Sequence, residues 1–428
     1  MTVFTSSTQT PAQQRSLRVE LPNGIVVIAI ENSVADIISA RIFVKAGQCC
    51  ESRQQAGLFS LLTSLLTRGT AHRSSLEIAE AVEYVGASLG ADATSDYSLV
   101  SLKTVSADFE PIFGLAAEIL REPSFPNHEI ELERKLTLQG LRSMQEQPFT
   151  VAYNHLREAM YGDHPYALSS LGTPDTVTAL DREALVATHQ TYFRPDNLVV
   201  TVVGRIDPQR AVDLVEQTLG DWQAPTEPMP PLRLPALSPK AYRIVTPQET
   251  NQSIIVLGHL AGSVKHPDYA ALKLLSTYLG NGLSSRLFVE LREKQGLAYD
   301  VSAFYPTRLS TSQFVAYIGT APQNSSVALK GLQYEIERLC ETPPNDEELQ
   351  VSKNKLLGQY ALGKQTNGQI AQLLGWYEAI GLGIDFDQSF QTDINAVTVE
   401  DAQAAAQRCF IDSYISILGP AEVVEPLR

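Results

Sequence analysis

Three landmarks occur twice along this chain at nearly one spacing, and that repetition restricts it to folds built from two similar halves. Pro126-Asn127 precedes an acidic helical stretch, and so does Pro344-Asn345 (344 − 126 = 218). Val177-Thr178 followed by Asp181 returns as Val397-Thr398 followed by Asp401 (397 − 177 = 220). Residues 199–204, VVTVVG, return as residues 414–419, YISILG (419 − 204 = 215). Self-similarity at one period marks a duplicated structural unit. Each half runs through strands, helices, strands and helices to a last strand. The expected class is α+β: two homologous domains, each a mainly antiparallel sheet with helices packed on one face. Just past the midpoint, Ala224-Pro225-Thr226-Glu227-Pro228-Met229-Pro230-Pro231, with Pro235 and Pro239 beyond, is too rich in proline for regular structure. The expected boundaries are 1–223 for the first domain, 224–240 for a semi-extended linker and 241–428 for the second domain.

Local patterns fill in the elements. Leu17, Val19 and Leu21 alternate with polar residues, Pro22-Asn23-Gly24 follows, and residues 25–30 are all apolar. Asn-Gly between such runs predicts a β-hairpin whose two turn positions take φ > 0. Residues 37–46, 99–105 and 198–203 read as strands. Residues 57–68 read as a helix, with Leu58, Phe59, Leu61, Leu62, Leu65 and Leu66 at helical spacing and Ser60, Thr63, Ser64 and Thr67 on the other face. Further helices are expected over 75–85, from a Ser cap, over 108–121 and over 128–144. Residues 370–384, including Trp376-Tyr377, read as helix core rather than a ligand site.

Composition excludes some partners. A formal net charge of −15 argues against nucleic acid, which calls for a basic face that displaces counterions. No apolar run approaches the roughly 18 residues that span a bilayer, so no membrane partner is expected. Cys49, Cys50, Cys340 and Cys409 form no C-x-x-C pair, a sparse usage that fits buried thiols in a reducing compartment. The first eighteen residues are rich in Ser, Thr and Gln and lack the apolar segment of a secretory signal. The expected location is a bacterial cytoplasm, with an organellar stroma or matrix as the alternative.

The longer motifs point to a family. Residues 57–70 (GLFSLLTSLLTRGT), 133–140 (ERKLTLQG), 192–198 (YFRPDNL), 279–287 (LGNGLSSRL) and 292–299 (REKQGLAY) together resemble the pitrilysin and mitochondrial-processing-peptidase family of inverzincin zinc peptidases. The resemblance implies that residues 57–68 correspond to the helix that carries H-x-x-E-H, and 133–140 to the helix that supplies a third, carboxylate ligand. Here the two histidine positions hold Ser60 and Ser64, and the general-base position holds Thr63. The third-ligand position falls at Gly140, or at Gln139 in the neighbouring register. Catalytic Zn²⁺ takes His nitrogen or carboxylate oxygen, and neutral hydroxyls are poor substitutes. Threonine cannot act as a base near neutral pH. Among His72, His128, His155, His164, His189, His259 and His266 no two are three or four apart, so no helix presents a replacement pair. No metal is expected in this chain.

The resemblance also implies a role for Arg292 and Tyr299, seven positions apart (299 − 292 = 7). In family members that carry them, such an Arg and Tyr reach across the cleft, hydrogen-bond the substrate carbonyl beside the zinc and stabilise the tetrahedral intermediate. A guanidinium and a phenol are suitable donors to a developing oxyanion. Ser285 is expected to cap a helix running through Lys294, Gly296 to end it, and residues 298–305 to form the strand that Tyr299 opens. The plain alternative is a surface Arg292 paired with Glu290 or Glu293 and a half-buried strand tyrosine. Gly280-Asn281-Gly282 is not a phosphate loop, since no Gly-Lys-Ser/Thr follows. It reads either as a turn after a helix ending near Tyr278 or as a substrate-contacting loop. The implied function is that of the non-catalytic, substrate-binding subunit of a heterodimeric zinc metalloendopeptidase, inactive alone. A homologous catalytic partner would supply zinc and base, and peptides would be the substrates. The alternative is a peptide-binding or structural scaffold subunit with no role in hydrolysis.

Overall fold

The computed structural model describes residues 15–428. The Ser/Thr/Gln-rich start read for targeting signals lies, through residue 14, outside the described residues. The first sheet holds β1 (Ser16–Glu20), β2 (Val26–Glu31), β3 (Ile38–Val44), β4 (Ser88–Ala93), β5 (Ser98–Thr104) and β6 (Leu198–Gly204), in the order β1-β2-β6-β3-β5-β4. The second holds β7 (Tyr242–Pro247), β8 (Ser253–Ala261), β9 (Asp300–Phe304), β10 (Ser312–Thr320) and β11 (Tyr414–Gly419), in the order β7-β11-β8-β10-β9. One pair in each sheet is parallel, β2 with β6 and β7 with β11, and the other pairs are antiparallel. The second sheet repeats the first without β1. This is the duplicated, mainly antiparallel α+β architecture that the repeated landmarks predict.

The first half carries α1 (Leu58–Leu65), α2 (Ser75–Tyr84), α3 (Phe109–Arg121), α4 (Asn127–Gln145), α5 (Pro148–Tyr161), α6 (Pro174–Ala179), α7 (Arg182–Tyr192) and α8 (Pro208–Leu219). The second carries α9 (Tyr269–Gly280), a π-helix (Phe288–Lys294), α10 (Ser325–Glu341), α11 (Asp346–Leu362), α12 (Asn367–Ala379), α13 (Phe386–Ala396) and α14 (Val399–Cys409). Residues 224–240 form neither helix nor strand.

Local chemistry accounts for several boundaries. The β1–β2 turn differs from the expected hairpin type. Only Gly24 takes a positive φ, 90°, and Gly24 N donates to Leu21 O at 2.9 Å. The turn is therefore closed across Leu21 to Gly24, and Asn23 uses its side chain instead, donating to Leu219 O at 2.8 Å. The cap of α2 is Ser74 rather than Ser75. Its hydroxyl accepts from Glu77 N while the Glu77 carboxylate accepts from Ser74 N, a reciprocal capping box.

The two halves are laced together by an exchange of helices. Ala40, Ile42 and Val44 of β3 face one way, into a core with α1, α3 and α8. Phe43 faces the other way and meets Ala371 and Ala379 of α12, a helix of the second half. The second sheet mirrors this. Ile255 and Leu257 of β8 share a core with α9 and α10, while Ile254 and Val256 meet Leu156 and Met160 of α5, from the first half. The strand alternation that places own-half helices on one face thus also prepares the opposite face for a helix from far along the chain.

The exchanged helices correspond, since they begin 219 residues apart (367 − 148 = 219). In that register Leu156 matches Gly375 (156 + 219 = 375). The β3 and β8 strands match at an offset of 215, which pairs Phe43 with Gly258 (43 + 215 = 258). Large and small residues have changed places between the halves. A Cβ added at Gly258 would lie 2.9 Å from Leu156 Cδ2, and one added at Gly375 would lie 2.3 Å from Phe43 Cε2 and from Thr201 Oγ1. Each crossing is tight because one partner lacks a side chain.

Candidate functional site

The start of α1 is fixed from three directions. Gly57 adopts φ 93°, and a Cβ there would meet Leu171 O at 2.6 Å, so the position requires glycine. The Glu51 carboxylate, from the loop after β3, accepts from Gly57 N at 3.0 Å and Phe59 N at 2.7 Å, covering amides that the first turn of a helix leaves unpaired. Burial pushes the Glu51 carboxyl from its ordinary 4.5 up to about 8, against the lowering effect of those two amides. Between those values the folded chain holds the proton that the unfolded chain has released, so this group's contribution to stability falls as pH rises through that window. Glu51→Gln keeps an acceptor and cannot ionise. Its Tm relative to the parent chain should therefore be higher at the alkaline end of the window than at the acid end; a parallel pair of Tm–pH curves would contradict this.

Two hydroxyls of α1, those of Thr63 and Ser64, turn back onto their own helix. Thr63, buried, places Oγ1 2.9 Å from Phe59 O, to which it donates, and 3.1 Å from Ser60 O. Ser64 Oγ donates to Leu61 O at 2.9 Å. Gly140 of α4 has no donor atom to offer. Of the two buried carboxylates of α4, Glu133 is paired with Arg68 at 2.6 Å and Glu129 accepts from Ser75 Oγ at 2.6 Å. A zinc ion at this helix would find only neutral hydroxyls, those of Thr63 and Ser64 already committed to backbone carbonyls, and carboxylates on α4 that already have partners, so the residues present do not fit it. Among the described residues no group of three or more His, Cys, Asp or Glu side chains is placed to hold a metal.

Arg292 and Tyr299 flank a turn in the second half. The helix that carries Arg292 differs from the expected capped α-helix: it is the π-helix, followed by Gly296 at φ 65°. Gly296 N donates to Arg292 O at 3.1 Å and Leu297 N to Leu291 O at 2.8 Å. Ser285 does not cap it. Its carbonyl, not its hydroxyl, receives Val289 N at 3.0 Å, and the buried Ser285 Oγ has no partner among the described residues. Such widened turns recur at functional sites because they redirect side chains. Tyr299 lies one residue ahead of β9, tied by its N–H to Gly319 O at 2.8 Å, with its side chain exposed at 61%.

The plain alternative for this pair is met in part: Arg292 lies at the surface, while Tyr299 is exposed rather than half-buried. Arg292 makes no ion pair with Glu290 or Glu293 among the described residues. Glu290 is taken by Lys294 at 2.9 Å, and Arg292 instead stands over the Phe288 ring at 4.9 Å. Gly280 has a packing reason of its own: a Cβ there would lie 1.8 Å from Ala303 N, so α9 can press on β9 only through glycine. Asn281 is held by Gln359 at 2.6 Å, and Gly282 takes φ 84°. Tyr377 is buried as expected, but Trp376 is half-buried and walls a cavity of about 750 Å³ that sequence reading did not anticipate.

Comparison with known proteins places the chain. The profile described as Insulinase (Peptidase family M16) matches residues 26–174, and the one described as Peptidase M16 inactive domain matches residues 179–356. The chain belongs to the M16 peptidase family. A Bacillus subtilis relative, named uncharacterized zinc protease YmxG, is 23% identical over 407 residues, covering 93% of this chain and 97% of its own. A Mycobacterium leprae relative, uncharacterized zinc protease ML0855, is 26% identical over 413 residues, covering 94% and 91%. The crystal structure of a peptidase M16 inactive domain from Pseudomonas fluorescens superposes with a TM-score of 0.88 at 25% identity, covering 95% of this chain and 98% of that one. The crystal structure of a protease from Helicobacter pylori shares the fold with a TM-score of 0.90 at 22% identity, covering 95% and 100%. No helix among the described residues is long and apolar enough to cross a membrane.

Proposed function

We propose that this M16 chain is the non-catalytic, substrate-binding subunit of a heterodimeric zinc metallopeptidase. A homologous subunit supplies zinc, its ligands and the general base, and this chain supplies Arg292 and Tyr299. The observation that carries the reading is a contrast between two sites. Where zinc peptidases of the family place ligands, this chain has Ser60, Thr63, Ser64 and Gly140, with the Thr63 and Ser64 hydroxyls spent on their own helix. The Arg292 and Tyr299 side chains, meanwhile, stay exposed and uncommitted to a carboxylate. A pure packing role would bury or pair them; a role toward a substrate carbonyl needs their donors free.

Peptide substrates suit the framework as well. β4 and β9 end their sheets, and Tyr299 leads directly into β9. An open strand edge offers backbone donors and acceptors to an extended peptide. The Gly280-Asn281-Gly282 loop adjoins the same strand through Ser302 Oγ, which donates to Gly280 O at 2.7 Å. Mixing the purified chain with its zinc-bearing homologue tests the proposal: peptide cleavage should require both. Full activity of the homologue alone would favour the second reading, a scaffold subunit without part in hydrolysis.

A further inference from the structure

The cavity beside Trp376 lies on the face of the first sheet opposite α1, away from the site just described. It is bounded by β3, β5, the turn between β2 and β3, and the first turns of α12. The internal repeat explains why it is there. In the second half the corresponding space, under the first turns of α5, is plugged by rings. Phe149 stacks on Tyr153 at 5.8 Å and meets Tyr317 at 4.6 Å, while Tyr153 meets Phe304 edge-on at 5.5 Å. At the helix offset, Phe149 corresponds to Gly368 and Tyr153 to Gln372 (149 + 219 = 368; 153 + 219 = 372). At the strand offset, fully buried Val256 corresponds to Arg41 (41 + 215 = 256). The first half therefore lacks the aromatic plug of the second and has a cation on the floor of the open space.

Arg41 is held from behind and open in front. Its Nη1 donates to Ala40 O at 2.9 Å and Leu102 O at 3.2 Å. No carboxylate pairs with it among the described residues; Asp92 acts on it electrostatically from β4 without reaching ion-pair distance. A Cβ at Gly368 would stand 2.9 Å from Arg41 Nη2, so glycine leaves room for the guanidinium. The walls are braced: Asn367 Nδ2 donates to Ile37 O at 2.8 Å, Asn32 Nδ2 to Asn367 Oδ1 at 2.7 Å and Gln372 Nε2 to Tyr97 OH at 3.1 Å. None of the cavity's lining residues is acidic, Lys103 stands at its rim, and Leu373 and Trp376 give it an apolar side.

We propose that this cavity binds an organic carboxylate with an apolar body, the carboxylate meeting Arg41 and the apolar part lying against Trp376 and Leu373. A half-buried guanidinium that no carboxylate reaches at ion-pair distance among the described residues is completed by a planar, bidentate acceptor. The volume, about 750 Å³, is that of a site for a drug-sized ligand, so an acid of amino-acid size or the end of a short peptide can enter it. Two sources share this chemistry: a free organic acid and the C-terminal residue of a peptide. The site is independent of the zinc partnership, and its test needs no activity.

The chain has two tryptophans, so the Trp222→Phe variant leaves Trp376 as the only indole reporter. Its fluorescence should respond saturably to millimolar N-acetyl-leucine and about tenfold more weakly, or not at all, to N-acetyl-leucinamide, the loss expected when a charge-assisted bond is removed. A short peptide ending in leucine, with free and amidated C-termini, separates the sources: tighter binding of the free-acid peptide than of N-acetyl-leucine assigns the peptide terminus, and weaker binding assigns a small free acid. Arg41→Gln should reduce affinity by about tenfold. Gly368→Phe with Gln372→Tyr, which rebuilds the plug of the other half, should abolish binding while the circular-dichroism spectrum is kept. Equal binding of acid and amide, no saturable response to any of these probes, or undiminished binding by folded Arg41→Gln would overturn the assignment.

Discussion

Tyr299→Phe and Arg292→Ala should each lower the turnover of the complex with the zinc-bearing homologue by about 10²–10³, the usual cost of removing one preorganised oxyanion donor. Tyr299→Phe is the cleaner change. It removes one hydroxyl from a side chain that is 61% exposed, and the backbone bond from Tyr299 N to Gly319 O survives. Folding and assembly should be untouched, so association of the subunits and the zinc content of the partner should match the parent complex. Arg292→Ala also removes the contact over Phe288, an exposed cation–π pair worth only about 0.5–1 kcal/mol, too little to unfold the turn. The kinetic split matters. A fall in kcat and kcat/KM together marks donors that act in the transition state, whereas a rise in KM alone marks donors that only hold the peptide. Parent-like cleavage by both variants would remove the pair from the mechanism.

The second large effect lies in the helix exchange. Gly375→Leu should destabilise the fold by roughly 3 kcal/mol, at the upper end of overpacking costs, because even its Cβ would lie 2.3 Å from both Phe43 and Thr201. Replacing a mid-helix glycine gains about 1 kcal/mol in helix propensity, which the clash exceeds. Phe43→Gly alone should cost about 3–5 kcal/mol by opening a cavity in a fully buried position. The double variant copies the arrangement of Leu156 over Gly258 in the other half. It should be less destabilised than the sum of the singles, with a coupling of up to about 3 kcal/mol, read from denaturant midpoints. Strict additivity would mean that the two crossings are not equivalent.

What the sequence displays follows from how local each feature is. The hydroxyl face of α1, the Ser cap region of α2 and the β1–β2 hairpin are written in runs of neighbouring residues. The duplication is written in three landmarks that survive in both halves. β4 is not legible, because Ser88-Leu89-Gly90-Ala91-Asp92-Ala93 has little strand propensity and is held in the sheet by pairing with β5. The π-helix has no sequence signature distinct from an α-helix, so the expected Ser285 cap fails while its Gly296 stop holds. The exchange of α5 and α12 depends on Phe43 meeting Gly375 across the halves, which no window of sequence contains. The Arg41 cavity is hidden for the same reason, since its floor and its roof lie 327 residues apart (368 − 41 = 327).

The central claim is that chemistry at the shared site needs metal from another chain, and zinc stoichiometry tests it most directly. Elemental analysis after dialysis against a weak chelator should find no stoichiometric zinc in this chain alone, because Ser60, Thr63, Ser64 and Gly140 present neither imidazole nor carboxylate. The assembled heterodimer should contain one zinc per pair of chains, the partner's. About one zinc retained per isolated chain, accompanied by peptide cleavage, would contradict the account.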